Sequence, residues 1–180
     1  MILTKKEIKK QIKDKKIKVT PAPKAIQYQP ASLDLRLGNK YIEMDKGAMI
    51  DVKKPQQSST PIEYGEKGMV IPGNTFLLME TQEEIKLPED ICAICQGRSS
   101  IGRLGLTVHI TAGFVDPGYQ GKLTLEVANL SNNNIHLYPG MRICQLIFNQ
   151  IESTDKYKGK YQKSKTVEKS KINEDKEMKE

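Results

Sequence analysis

From Ala31 onward the chain is a succession of short apolar runs, at 32–37, 41–42, 69–71, 75–80, 91–95, 106–110, 122–129, 135–137 and 141–148, separated by Gly, Pro and Asn. Runs this short fit strands better than helices, because a core-facing helix needs about ten or more residues with a 3.6-residue period. Many short strands in one chain predict a mainly β protein, a barrel or a sandwich such as a jelly roll. The turns carry their own signatures. Asp116-Pro117-Gly118-Tyr119 places Pro and Gly at the central positions of a type II turn, where Pro fixes a negative φ and Gly accepts the positive one that follows. Asn132-Asn133-Asn134 reads as a turn, and 55–64 as a loop.

The start follows a different pattern. Thr4 and Glu7 are spaced as a capping box, Leu3 and Ile8 are placed as its hydrophobic staple, and Ile8 and Ile12 continue a narrow apolar stripe. An N-terminal helix is expected over 1–20, closed by Pro21 and Pro23. So narrow a stripe suits a surface helix packed on one side. Residues 163–180 hold many lysines and few apolar side chains, so they are expected to form a mobile tail on a single domain of residues 1–162.

A chain of 180 residues suffices for one domain with a real core. No apolar stretch approaches the roughly 20 residues that cross a bilayer, and the lysine-rich start lacks the apolar segment of a secretory signal. The expectation is a cytoplasmic protein without membrane association. The net charge of +7 raises the question of nucleic acid. However, eight lysines lie within the first eighteen residues and more follow Ser153, while the middle is far better balanced. That is the pattern of solvated ends. Trp is absent and Phe scarce, which weakens any case for base-stacking platforms. Cys92, Cys95 and Cys144 are an odd set, which argues against a disulfide framework. Cys92 and Cys95 have metal-like spacing, but they lie in an apolar run with no second pair and no nearby His. They read as core cysteines pointing to opposite faces of a strand.

Two stretches could carry chemistry. Gly97-Arg98-Ser99-Ser100-Ile101-Gly102-Arg103 puts arginines, hydroxyls and flexible backbone directly after a strand. Guanidinium forks, hydroxyls and backbone N–H groups together make an anion cradle. A short helix with a serine cap and surface arginines accounts for the same residues equally well. Thr111-Ala112-Gly113-Phe114-Val115-Asp116 leads into the turn, and its small residues let backbone approach a ligand closely. On the strand that follows, Lys122, Thr124 and Glu126 share one face, with Leu123, Leu125 and Val127 on the other. Periodicity alone makes Glu126 a solvated or ion-paired residue.

Taken in order, these motifs resemble the dCTP deaminase family of the dUTPase-like superfamily. Gln29-Pro30-Ala31-Ser32-Leu33-Asp34-Leu35-Arg36-Leu37-Gly38 is similar to its first motif. The run from Gln96 to Leu106, followed by His109 to Glu126, is similar to its signature. Gly140-Met141-Arg142-Ile143-Cys144-Gln145-Leu146-Ile147-Phe148 resembles a later motif, and Tyr157-Lys158-Gly159-Lys160-Tyr161-Gln162 its closing C-terminal segment. The resemblance implies a distorted jelly roll, the dUTPase-like β-clip barrel, with a short helix after Gly97-Arg98-Ser99-Ser100. It implies a homotrimer with active sites between subunits, dCTP and dUTP as ligands, Mg2+ bound through the triphosphate, no zinc, and dTTP as feedback inhibitor. It gives Glu126 the catalytic role, assisted by Ser99 and Arg103. Arg98 through Ser99, Ser100, Ile101 and Gly102 to Arg103 would meet phosphate and base. Thr111 and Ala112 would read the base edge, Asp116 the deoxyribose, and Thr124 and Leu125 the base. Gln145, Tyr157 and Lys160 would contact the nucleotide further on.

The chemistry is constrained by what is missing. Zinc deaminases use a His-x-Glu motif, whereas His109 here is followed by Ile110 and Thr111. Glu126 is therefore expected to be a general base whose pKa is raised by partial burial. It would take a proton from the water that attacks C4 of cytosine, then pass protons to N3 and to the departing ammonia. Ala112-Gly113-Phe114 resembles relatives that continue to dUMP and pyrophosphate, where deaminase-only relatives carry a bulkier, basic residue after the alanine. Gly113 and Phe114 thus favour dUMP formation, which supplies thymidylate synthesis, with Asp116 serving the second step. Release of dUTP is the alternative. A dUTPase alone would carry a glycine-rich motif after Gly159, and none is present. A non-catalytic nucleotide-binding regulator would not need Glu126, and a nucleic-acid-binding module rests on charge alone. One departure stands out: Ser164 and Thr166 lie near places where the family has Gln and Gly, which puts the closing contacts in question. His136 reads as a surface residue, and His109 as either site-lining or structural.

Overall fold

In the computed structural model, which describes residues 1–44, 47, 49–53, 55 and 60–178, the N-terminal helix α1 spans Lys5–Lys13; it stops at Asp14, short of the expected 1–20 and well before the prolines, because residues 18–20 pair as a strand instead. Thr4 caps it: its hydroxyl accepts the Glu7 N–H, and the Glu7 carboxylate accepts the Thr4 N–H at 2.7 Å. Ile8 and Leu3 are buried beneath it, as the staple requires.

The strands follow in chain order: β1 (Lys18–Thr20), β2 (Leu33–Glu43), β3 (Ile62–Glu63), β4 (Met69–Ile71), β5 (Thr75–Lys86) and β6 (Ile91–Gly97). A one-turn helix α2 (Ser99–Gly102) comes next, then β7 (Leu106–Thr107), β8 (Phe114–Val115), β9 (Gln120–Asn129), β10 (Ile135–Leu137) and β11 (Arg142–Gln150). A curled antiparallel sheet runs β7-β9-β5-β2-β11-β6-β8, with β1 added to β5 and β3 to β2, while β4 and β10 form a separate pair. This is the mainly β, distorted jelly-roll architecture that the run pattern and the resemblance imply, with the short helix where expected. Leu33, Leu35, Leu37, Met79, Ile91, Leu146 and Phe148 are fully buried inside it. Each such side chain contributes roughly 1.5–3 kcal/mol by leaving water. The three cysteines are free and buried.

Several strands differ in length from the apolar runs. β2 joins two runs through Gly38, where a Cβ would stand 2.7 Å from Glu80 Cγ on β5. β5 continues past Glu80 through a register shift against β9 that ends at Glu84. Its fully buried polar residues, Glu80, Thr81 and Glu83, have partners. The Glu83 carboxylate accepts Arg36 Nε at 2.6 Å, the Arg36 N–H at 2.8 Å and Gln27 Nε2 at 2.9 Å. The strand expected over 106–110 ends at Thr107, because the next residues leave the sheet and turn their N–H groups toward Glu126. Within the loop expected at 55–64, residues 56–59 lie outside the described residues and Ile62–Glu63 is β3. The type II turn forms as predicted: Gly118 has φ +75°, and the Tyr119 N–H donates to the Asp116 carbonyl at 3.2 Å.

The stretch beyond Gln162, for which mobility is expected, has partners on β5 and β9. The Lys122 N–H donates to the Ser164 carbonyl at 2.9 Å, and Val167 is buried. Among the described residues no helix is long and apolar enough to cross a membrane.

Candidate active site

Alternation along β9 buries Leu123, Leu125 and Val127 and leaves Lys122, Thr124 and Glu126 on the other, half-exposed face. That face opens into a cavity of about 400 Å³, within the size range of small-molecule sites. Asp116 and Tyr119 of the turn, Ala112 and Phe114 before it, and Tyr157 and Tyr161 beyond β11 complete much of the wall.

Glu126 is held by the backbone that leaves β7. Its Oε2 accepts the N–H groups of Ile110 and Thr111, each at 2.8 Å, and Oε1 lies 3.3 Å from the Thr111 hydroxyl. Burial pushes the carboxyl pKa up, but the N–H groups of Thr111, Ile110 and Ala112 outweigh it and hold the group below its ordinary range. The expectation of a raised pKa is therefore corrected. Partial burial is present, but three backbone donors stabilise the anion by more than desolvation costs it.

The glycine and histidine beside this loop are tightly fitted. A Cβ on Gly113 would stand 3.0 Å from the Cys95 carbonyl oxygen and 3.0 Å from His109 Cε1. The Gly113 carbonyl in turn accepts the Cys95 N–H at 2.7 Å, which ties this loop to β6. His109 lines the cavity, and its Nδ1 is buried without a hydrogen-bond partner.

The arginine motif is built separately. Ile101 anchors α2 in the core, while Ser99, Ser100, Gly102 and Arg103 are exposed. Arg98 Nε lies 3.3 Å and Arg142 Nη1 2.9 Å from the buried Asp34 carboxylate, and Arg98 Nη1 donates to the Arg142 carbonyl at 3.1 Å. Burial raises the Asp34 pKa, and the two guanidiniums only partly offset it. Gln145 donates to the Gly97 carbonyl and accepts the Ser32 hydroxyl. Lys160 is paired with Asp175 at 2.6 Å.

Of the residues named from sequence, Glu126, Thr124, Leu125, Asp116, Ala112, Phe114 and Tyr157 come together at the cavity, and Thr111 and Gly113 stand in its wall loop. Arg98 to Arg103, Gln145 and Lys160 are not among the lining residues of this one chain. Tyr119, Tyr161, Glu168 and Cys95 line it without having been singled out as contacts. Lys122 was visible through the period of β9, whereas Tyr161 and Glu168 carry no local signal. Among the described residues no three His, Cys, Asp or Glu side chains stand together as a metal-binding group.

Comparison with known proteins gives this arrangement a family. Residues 2–151 match the family model described as dCTP deaminase-like. The chain is 44% identical to a dUMP-forming dCTP deaminase of Dictyoglomus turgidum, covering 97% of this chain and 96% of that one. It is 38% identical to the enzyme of the same name from Methanobrevibacter smithii, over 99% of this chain and 98% of that one. Among solved structures, the 2'-deoxycytidine 5'-triphosphate deaminase of Agrobacterium tumefaciens superposes with a TM-score of 0.66 at 26% identity. That match covers 82% of this chain but 47% of the longer bacterial one. A dUTPase of Staphylococcus bacteriophage 80alpha shares the fold at a TM-score of 0.51 and 14% identity, covering 80% of this chain and 96% of that one. With a barrel of the dUTPase type, a glutamate on β9 facing the cavity and a family match spanning most of its length, this chain belongs to the dCTP deaminase-like family.

Proposed function

We propose that the protein hydrolyses dCTP to dUMP, pyrophosphate and ammonia. The observation that carries this reading is Glu126, a carboxylate facing the cavity in a chain whose relatives at about 40% identity bear the name of that reaction. In the first step Glu126 takes a proton from water through Oε1, the oxygen that accepts neither the Ile110 nor the Thr111 N–H. The resulting hydroxide adds to C4 of cytosine as N3 is protonated. The C4–N4 bond then breaks, with a second proton delivered to nitrogen so that ammonia leaves. Ser99 and Arg103 orient the water and stabilise charge, and Arg98, Ser100, Ile101 and Gly102 supply the phosphate and base contacts. Thr111 and Ala112 read the base edge, Thr124 and Leu125 meet the ring, and Asp116 holds the deoxyribose. Gln145, Tyr157 and Lys160 complete the nucleotide contacts.

These two groups of residues fit one site only if they meet between copies of the chain, which supports a homotrimer with shared sites. Exposed Leu104, Ile110, Phe114 and Leu130 offer apolar surface for such contacts. Mg2+ would be carried by the triphosphate, where it supplies charge neutralisation when bound. In the second step a water gives its proton to the Asp116 carboxylate beside the sugar and attacks the α-phosphorus, the bond from that phosphorus to the bridging oxygen breaks, and pyrophosphate departs with the electron pair. The lack of a side chain at Gly113, where a Cβ would crowd the Cys95 carbonyl and His109, favours this continuation over release of dUTP. A cytoplasmic location and feedback by dTTP belong to the same reading.

The test is product analysis with dCTP and Mg2+, resolving nucleotides and assaying ammonia and pyrophosphate. Equal ammonia and pyrophosphate with dUMP is the expected result. Ammonia with accumulating dUTP would reduce the reaction to its first step, and hydrolysis of dUTP without ammonia would remove Glu126 from catalysis.

A further inference from the structure

β5 holds a buried acid that the proposed reaction does not use. Glu80 is 1% exposed and is not among the residues that line the cavity. Its Oε1 accepts Lys122 Nζ at 2.5 Å, while Oε2 accepts the Thr166 hydroxyl at 2.9 Å and the Val167 N–H at 2.8 Å. One oxygen thus serves the cavity face of β9 and the other the C-terminal stretch. Gly38 on β2 makes the room, since any Cβ there would collide with the Glu80 side chain. Val167 is 2% exposed, so its N–H has no solvent to replace a lost acceptor.

The contacts on either side follow the same line. The Lys122 N–H donates to the Ser164 carbonyl at 2.9 Å, and the Glu168 N–H donates to the Thr124 hydroxyl at 3.1 Å. Lys165 reaches Glu84, further along β5, at 3.1 Å. Tyr161, Ser164 and Glu168, which bracket this seam, line the cavity together with Lys122 and Thr124. The stretch is therefore fastened at its centre by Glu80 and presents side chains to the cavity from both ends.

We infer that Glu80 is a positioning residue for nucleotide binding, fixing Lys122, Ser164 and Glu168 where they face the cavity. It acts through Lys122, Thr166 and Val167 and touches no reacting atom. The seam also accounts for Ser164 and Thr166: the Ser164 carbonyl and the Thr166 hydroxyl both have fixed partners on β9 and β5.

The kinetic part of the test rests on the dCTP reading, so a second measurement needs no nucleotide. Glu80→Gln keeps the volume but removes the charge facing Lys122 and leaves one acceptor oxygen for three donors. Thr166→Val removes a single donor. For each, kcat and KM for dCTP are measured with the rate of tryptic cleavage after Lys163 and Lys165 and with Tm. In Glu80→Gln, cleavage about tenfold faster and KM about tenfold higher, with kcat within about twofold, is the expected result, the size that follows when a buried donor loses its acceptor. Thr166→Val should shift both in the same direction by less. Unchanged cleavage and KM in Glu80→Gln would overturn the inference. If that variant loses Tm and kcat together, Thr166→Val decides, and wild-type behaviour there overturns it equally. A wild-type protein that does not turn over dCTP would sink the functional reading, while the cleavage rates would still judge the seam.

Discussion

Replacing Gly113 by alanine is a small change with a calculable reach. Gly113 does not require the left-handed region that only glycine favours, so the added methyl costs space and not backbone strain. Its Cβ would stand 3.0 Å from the Cys95 carbonyl oxygen and 3.0 and 3.2 Å from His109 Cε1 and Nδ1. The Cys95 carbonyl belongs to β6, whose ladder to β11 fixes it. The adjustment therefore falls on the His109 ring, which breaks no hydrogen bond at Nδ1 by moving. A ring displaced by a few tenths of an ångström costs about 0.5–1.5 kcal/mol in rotamer strain, or a Tm lower by about 1–6 °C for a chain of this length. The functional cost should be selective. Misplacement of about 1 Å can slow a step roughly 100-fold, so a fraction of that displacement should slow the second hydrolysis by about tenfold. The assay is the ratio of pyrophosphate to ammonia during dCTP turnover. It should be near unity for the wild type and fall well below unity for Gly113→Ala as dUTP accumulates. A variant with the wild-type ratio, or with both products reduced equally, would refute the role given to the bare backbone at Gly113.

Glu126→Gln should lower deamination by about 10²- to 10⁴-fold while leaving the Kd for dCTP within a few fold, checked by single-turnover ammonia release and calorimetry; equal loss of both would undo the assignment. The lowered pKa of Glu126 has a pH consequence. An acid whose folded-state pKa lies below its unfolded value, about 4.3, adds stability that is present above that value and is lost as pH falls through the folded pKa. The Tm advantage of wild type over Glu126→Gln should accordingly be full at neutral pH and vanish below the ordinary carboxylate range; an advantage that grows on acidification would contradict it. Finally, co-expressed Arg103→Ala and Glu126→Gln chains, each inactive alone, should recover about a quarter of the wild-type activity if the sites are shared between copies. No recovery would place both residues in the same subunit's site.

Antiparallel strands write burial directly into alternation, and that is why β9 could be read residue by residue, including the shared face of Lys122, Thr124 and Glu126. The turn at Gly118 was equally legible because its conformation depends on two adjacent residues. What escaped depends on distant partners. Glu83 and Glu80 look like surface acids, yet they are buried by Arg36 and Thr166, which lie 47 and 86 residues away along the chain. The tail's composition says little about order for the same reason: Val167 is one apolar residue, and its burial depends on an acceptor on β5. The basicity of Glu126 was misjudged because burial follows from strand periodicity, whereas the donors of Ile110 and Thr111 come from a loop that the apolar pattern extends into a strand. The cavity's aromatic wall at Tyr161 has no local signature.

The grip of the 110–112 backbone on Glu126 makes proton affinity and ligand affinity two readings of one equilibrium. Any nucleotide that draws those N–H groups to its own base edge must release them from the carboxylate. The carboxylate then becomes a stronger base only when a substrate is present to be attacked. Thermodynamic reciprocity gives the converse: whatever raises the proton affinity of Glu126 on binding also makes binding tighter as protons become more available. Loading the site should therefore be accompanied by net proton uptake, visible as a binding enthalpy that changes with the ionisation heat of the buffer.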